Sequence, residues 1–182
     1  RMYDRLFFTH GKVCELTDAE WADDPASLKG MEKHVEELKR LVFRPGEQAD
    51  VPLVGKKTAI FSEKLIDSYD FSITNKHYAD SIDCFVFTAT VKPEVEARHP
   101  GKTIIKYLET WFERHTFQVI ARRYHLKAQN PLFEFDVRMD IQLAKLGSLY
   151  YPARLEYEGR WDIPASKPEH VRFRTRFYRF GQ

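Results

Sequence analysis

Four acids and three arginines are the residues whose types and spacing suggest chemistry. Glu134 and Asp136 lie two apart, and so do Glu156 and Glu158. In an extended chain, residues two apart share a face. Two such segments paired antiparallel can bring four carboxylates together and hold a hard cation such as calcium. Arg172, Arg174 and Arg176 repeat the same spacing. Set beside the acids, they turn the cluster into a solvated salt-bridge lattice. The lattice is the favoured reading, so no metal and no other cofactor is expected. A glycosidase pair needs two acids across a cleft, roughly 5–9.5 Å apart. These acids sit on an exposed face, so a carboxylate-dependent hydrolase ranks last among the functions considered.

The arginine ladder also suits phosphate, lipid headgroup or nucleic acid. Alternation sends Phe173 and Phe177 to the opposite face, where they cannot stack on the ligand the arginines hold. Protection of an edge strand by charge is the plainer reading. The seven histidines (His10, His34, His77, His99, His115, His125 and His170) form no HExxH and no close pair. No GxSxG, Walker loop or GxGxxG is present. Cys14 and Cys84 form no CxxC, and Cys84 lies in an apolar run, so a buried free thiol is favoured over a bridge.

The remaining candidate is apolar. Phe133, Phe135, Met139, Leu155, Tyr157, Trp161, Phe173 and Phe177 fall on one face of the strands that carry them. They exceed what one helix of ordinary length covers. Ordinary core packing is one reading of this set, and a wall for an acyl chain or lipidated peptide is the other.

Those residues need a scaffold, and the periodicity supplies one. Leu28, Met31, Val35, Leu38 and Val42 recur at helical spacing, with Pro45-Gly46 to stop them. Phe61–Tyr69 reads as one or two helical turns. From residue 82 the period becomes two. Strands are expected at Ile82–Val91, Thr103–Phe112, Thr116–Leu126, Leu132–Leu143, 149–163 and 171–177. Short connections favour antiparallel neighbours. A three-residue loop Lys145-Leu146-Gly147 would set Leu143 opposite Leu149 and Met139 opposite Ala153. The expected architecture is α+β: a curved antiparallel meander, or half-barrel, with a helical lid on its concave face. A closed lipocalin-like barrel is the alternative. Residues 1–182 are taken as one domain, N-terminally trimmed, with a helical lid and connecting segment over 1–81 and the meander over 82–182.

Composition bounds the function. The chain has 182 residues with 26 aromatics (14 Phe, 9 Tyr, 3 Trp), enough for a sizeable core. The longest run without a charged residue is eight, against roughly 20 for a spanning helix, so no membrane-spanning helix is expected. Net charge is +2 and the isoelectric point about 8.5, without the clustered basic stripe of a nucleic-acid-binding domain.

One stretch carries a family likeness. Asp83-Cys84-Phe85-Val86-Phe87 precedes Val91-Lys92-Pro93. Tyr107-Leu108-Glu109-Thr110-Trp111-Phe112-Glu113 is followed by Phe117-Gln118-Val119-Ile120-Ala121-Arg122-Arg123. Met139-Asp140-Ile141-Gln142-Leu143 and Leu149-Tyr150-Tyr151-Pro152 complete the pattern. It resembles the outer-membrane lipoprotein-sorting superfamily, with its LolA/LolB-like half-barrels. Similar segments occur in larger envelope proteins with carboxypeptidase-regulatory-like domains. The resemblance implies a non-enzymatic, periplasmic or outer-membrane-associated protein. It would bind lipid, acyl chain or lipoprotein on its concave apolar face, without cofactor or nucleic acid. The alternative is a structural or protein-interaction module with an envelope-protein partner.

Overall fold

The computed structural model describes residues 57–79, 81–130, 133–162 and 168–177. Seven strands follow one another: β1 (Tyr69–Tyr78), β2 (Ile82–Val91), β3 (Ile105–Glu113), β4 (Val119–Asn130), β5 (Phe133–Leu146), β6 (Leu149–Asp162) and β7 (Glu169–Arg176). They form one sheet in the order of the chain, every neighbouring pair antiparallel. The helices bounded within the described residues are a 3-10 turn, Ile66–Ser68, and the six-residue α1, Pro93–Arg98, opened by its proline; Lys57 is a single further 3-10 residue.

The expected α+β class is therefore corrected. Strand makes up 67% of the structure and helix 9%, and no described helix reaches seven residues. A helical lid is not supported; the periodic segment Leu28–Val42 lies outside the described residues. Nor do the described strands close a barrel, since β1 and β7 stand at opposite ends of the order.

β1 was not expected. Tyr69, Phe71 and Ile73 alternate with Asp70, Ser72 and Thr74, but the alternation then gives way to the polar run Asn75, Lys76 and His77. All ten of its residues pair with β2. The β5–β6 hairpin also differs from expectation. Leu146 pairs with Leu149, leaving a two-residue loop of Gly147 and Ser148, with Gly147 at φ +63°. A type II′ hairpin wants a left-handed glycine at that first position. A bulge at Ala153 then shifts the register, and Pro152 sits beside it, where a strand proline is tolerated. Met139 consequently faces Tyr157, not Ala153.

Two cores lie on opposite faces. The larger includes Leu108, Tyr124, Leu126, Phe135, Val137, Met139, Leu155 and Trp161, joined by Ile60 and Leu65 from the segment before β1. The smaller, Cys84, Val86 and Ile120, packs with Tyr78, Trp111 and Tyr150 on the other face, near the bulge between β3 and β4. Lys106 fastens α1 to β3: its buried ammonium donates to Glu96 at 2.5 Å and to the carbonyls of Pro100 and Thr103.

Candidate functional site

The observed register decides what the four acids do. Glu134 pairs with Asp162, Asp136 with Arg160, Arg138 with Glu158 and Asp140 with Glu156. The quartet Glu134, Asp136, Glu156 and Glu158 is not assembled, because the turn falls further along the chain, at Gly147-Ser148, and the bulge adds one more residue, so Glu134 meets Asp162 instead of Glu158. On the far side of β6, Glu156 faces Arg174 and Glu158 faces Arg172, as the sequence suggested.

The result is a lattice. Glu156 accepts from Arg174 Nε at 2.5 Å and from Arg154. Those two bonds hold its carboxyl below the usual glutamate range. Asp140, directly opposite Glu156, accepts from Arg123 Nε at 2.5 Å. Arg123 also reaches Glu109 at 3.8 Å. Glu109 is buried yet satisfied, accepting from Tyr107 Oη at 2.9 Å and Trp111 Nε1 at 2.8 Å. His125 contacts Asp136 at 2.8 Å, and His170 contacts Glu158 at 3.4 Å. A groove of about 670 Å³ crosses this face, lined by Tyr107, His125, Arg138, Glu158, Arg172 and Arg174 among others. Arg138 and Arg172 make no ion pair among the described residues. No three of His, Cys, Asp and Glu are grouped to hold a metal ion among the described residues.

On the apolar face, the structure brings most of the predicted candidates together but closes over them. Phe135, Met139, Leu155, Tyr157 and Trp161 are all buried. Phe135 stacks on Trp161 with ring centroids 5.1 Å apart. Phe177 is partly buried against the same cluster. The backbone of Phe173 pairs with Tyr157, and that of Phe133 with Asn130; their side chains lie outside the description.

Sequence reasoning missed where this face stays open. Phe71 and Ile73 on β1 share a face with Phe87 on β2, by register. Phe61, from the segment before β1, stacks on Phe71 at 5.6 Å and lies 6.0 Å from Phe87. Phe61 is 58% exposed and Ile73 70%. Tyr69 and Phe87 join this strip to the larger core. The alternation Tyr69, Phe71, Ile73 was the signal that could have found it.

Cys84 is a free, buried thiol whose pKa burial raises; Cys14 lies outside the described residues. No described helix is long and apolar enough to cross a membrane. Comparison with known proteins gives no match: no family, curated protein or solved structure resembles the chain significantly.

Proposed function

We propose that this chain is a non-enzymatic binding module of the periplasm or outer membrane that holds an acyl chain on its apolar face. The carrying observation is the exposed strip of Phe61, Phe71 and Ile73, continuous with half-buried Phe87. Apolar side chains exposed side by side, unlike ones scattered singly, mark interaction sites. The buried residues Phe135, Met139, Leu155, Tyr157 and Trp161 then act as the packed base that fixes the sheet. The ligand lies beside them, over β1 and β2. Each CH₂ removed from water contributes about 0.8 kcal/mol, so a chain seated on three rings and one isoleucine needs no catalytic machinery to be held.

Displacement of a fluorescent fatty acid tests this reading. The protein should bind the probe, and Phe61→Ser and Ile73→Ser should each weaken binding several-fold. Both side chains are largely exposed, so the unfolding midpoint should hardly move. Absence of binding, or binding indifferent to both substitutions, overturns it.

The groove on the charged face favours a second reading, an interaction module of a larger envelope protein. Arg138 and Arg172 flank Glu158 there, and neither pairs with a carboxylate among the described residues. Reversing both charges, Arg138→Glu with Arg172→Glu, should abolish association with an envelope partner and spare fatty-acid binding. Loss of fatty-acid binding instead would remove the separation between the two faces.

A further inference from the structure

Arg122 stands on the apolar side of the sheet. Alternation along β4 sends Arg123 and His125 to the charged face, and Arg122 to the face of Tyr124, Leu126 and Ala128. Its cross-strand neighbours are Thr110 on β3 and Ile141 on β5. Thr110 in turn faces Phe87, and Phe87 faces Ile73. One row therefore runs across the sheet from Ile73 through Phe87 and Thr110 to Arg122.

The guanidinium in this row is half-buried and poorly partnered. Its Nε donates to Thr110 Oγ1 at 3.2 Å. Among the described residues no carboxylate pairs with it. Desolvation presses its pKa below the ordinary arginine value, and only the Tyr124 phenol opposes the shift. Arginine nonetheless keeps its charge in proteins. A charge drawn toward an apolar surface is costly unless it gains a partner. The contrast with Arg123, which holds both Asp140 and Glu109, is direct. The Thr110 bond occupies Nε and leaves the two terminal nitrogens as a planar fork, the geometry that receives an oxyanion.

We infer that Arg122 is the head-group site of the acyl-binding surface, gripping the terminal oxyanion of a single-chain amphiphile whose tail crosses β3 and β2 over Phe87 toward Ile73. The inference rests on the acyl-binding reading and names its ligand class: an alkyl chain ending in carboxylate or phosphate. From Arg122 to Ile73 is three strand spacings, about 14 Å at roughly 4.8 Å each. An extended alkyl tail would span that distance, passing over the buried Thr110 and ending against Phe71 and Phe61. The cation at one end and the aromatic strip at the other fit the two ends of such a molecule.

The test is a ligand series of one chain length: dodecanoate, dodecyl phosphate, dodecanol and dodecyltrimethylammonium, measured by displacement on the wild type, Arg122→Gln and Arg122→Lys. Charge-assisted hydrogen bonds should make the two anions bind about tenfold or more tighter than dodecanol. The trimethylammonium compound should bind weakest. Arg122→Gln should bring the anions down to the level of dodecanol and leave dodecanol unchanged. Arg122→Lys should keep part of the preference. Of the two anions, the tighter identifies whether the natural head is carboxylate or phosphate. Equal binding of dodecanoate, dodecyl phosphate and dodecanol to the wild type sinks the head-group assignment and leaves acyl binding standing. So does an anion preference that survives Arg122→Gln. If none of the four binds, the acyl-binding reading itself fails and this inference with it. The wild-type series decides the matter even if Arg122→Gln does not fold.

Discussion

The ring of Tyr157 lies over Gly159, two residues further along the same face of β6. A Cβ at Gly159 would stand 2.3 Å from Tyr157 Oη and 2.7 Å from its Cε1 and Cζ. The ring cannot swing aside freely, because Trp161 Nε1 donates to its hydroxyl at 3.0 Å and both residues are buried. Gly159→Ala should therefore cost about 1–3 kcal/mol, the range of an overpacked core. Urea unfolding measures it. A neutral result would mean that Tyr157 packs elsewhere.

Phe135 distinguishes a core from a groove on the apolar face. It is 2% exposed and stacks on Trp161. Phe135→Ala should lose about 3–5 kcal/mol through lost burial plus a cavity. An open lipid wall at this position would lose less than about 2 kcal/mol. The large value would confine any ligand to the exposed strip. A small value would return Phe135 and its neighbours to the binding surface.

The sheet was legible in the sequence where one face is buried and the other is wet. β5 is the clearest case: Phe135, Val137 and Met139 are buried and their neighbours are not. Spacing placed Arg172 and Arg174 near Glu158 and Glu156, and the register sets each pair face to face. β1 was lost because its alternation is short: it runs from Tyr69 to Thr74 and then gives way to the polar run Asn75, Lys76 and His77. The acid quartet failed for a different reason. A turn displaced to Gly147-Ser148 and a bulge at Ala153 are small local events, yet register carries them to every pair beyond. Arg122 was hidden inside a run of two arginines, where alternation assigns one to each face and composition assigns neither.

Glu109 should govern the titration of Tyr107. Burial, and then the hydrogen bond and charge of Glu109, push the Tyr107 phenol up to about 12. Glu109→Gln keeps the shape and removes the charge. Tyr107 should then titrate lower, since two of the causes that raise it are weakened. Absorbance of the phenolate against pH reads the change. An unmoved titration would mean that burial alone sets the value. The same carboxylate accepts from Trp111, so the indole emission should shift as well.

Glu156 should make part of the stability depend on pH. The Arg154 and Arg174 hydrogen bonds lower its folded pKa, against a modest opposing push from burial. A carboxyl with a depressed folded pKa stabilises the fold above its unfolded value, about 4.3 for glutamate. That contribution is lost as pH falls through the folded value, where both states are protonated. Glu156→Gln should therefore lower the urea midpoint at pH 7, by a modest amount because the ion pairs are exposed and screened by solvent. The gap between wild type and variant should close progressively as pH drops below the carboxylate range. Asp140 faces Glu156 across the strands, so removing one charge also relieves a like-charge contact. If that relief outweighed the two arginine bonds, the variant would be the more stable protein at neutral pH and the gap would have the opposite sign. The sign of the difference at pH 7 therefore tells whether the lattice around Glu156 is held by its arginines or strained by its neighbouring acid.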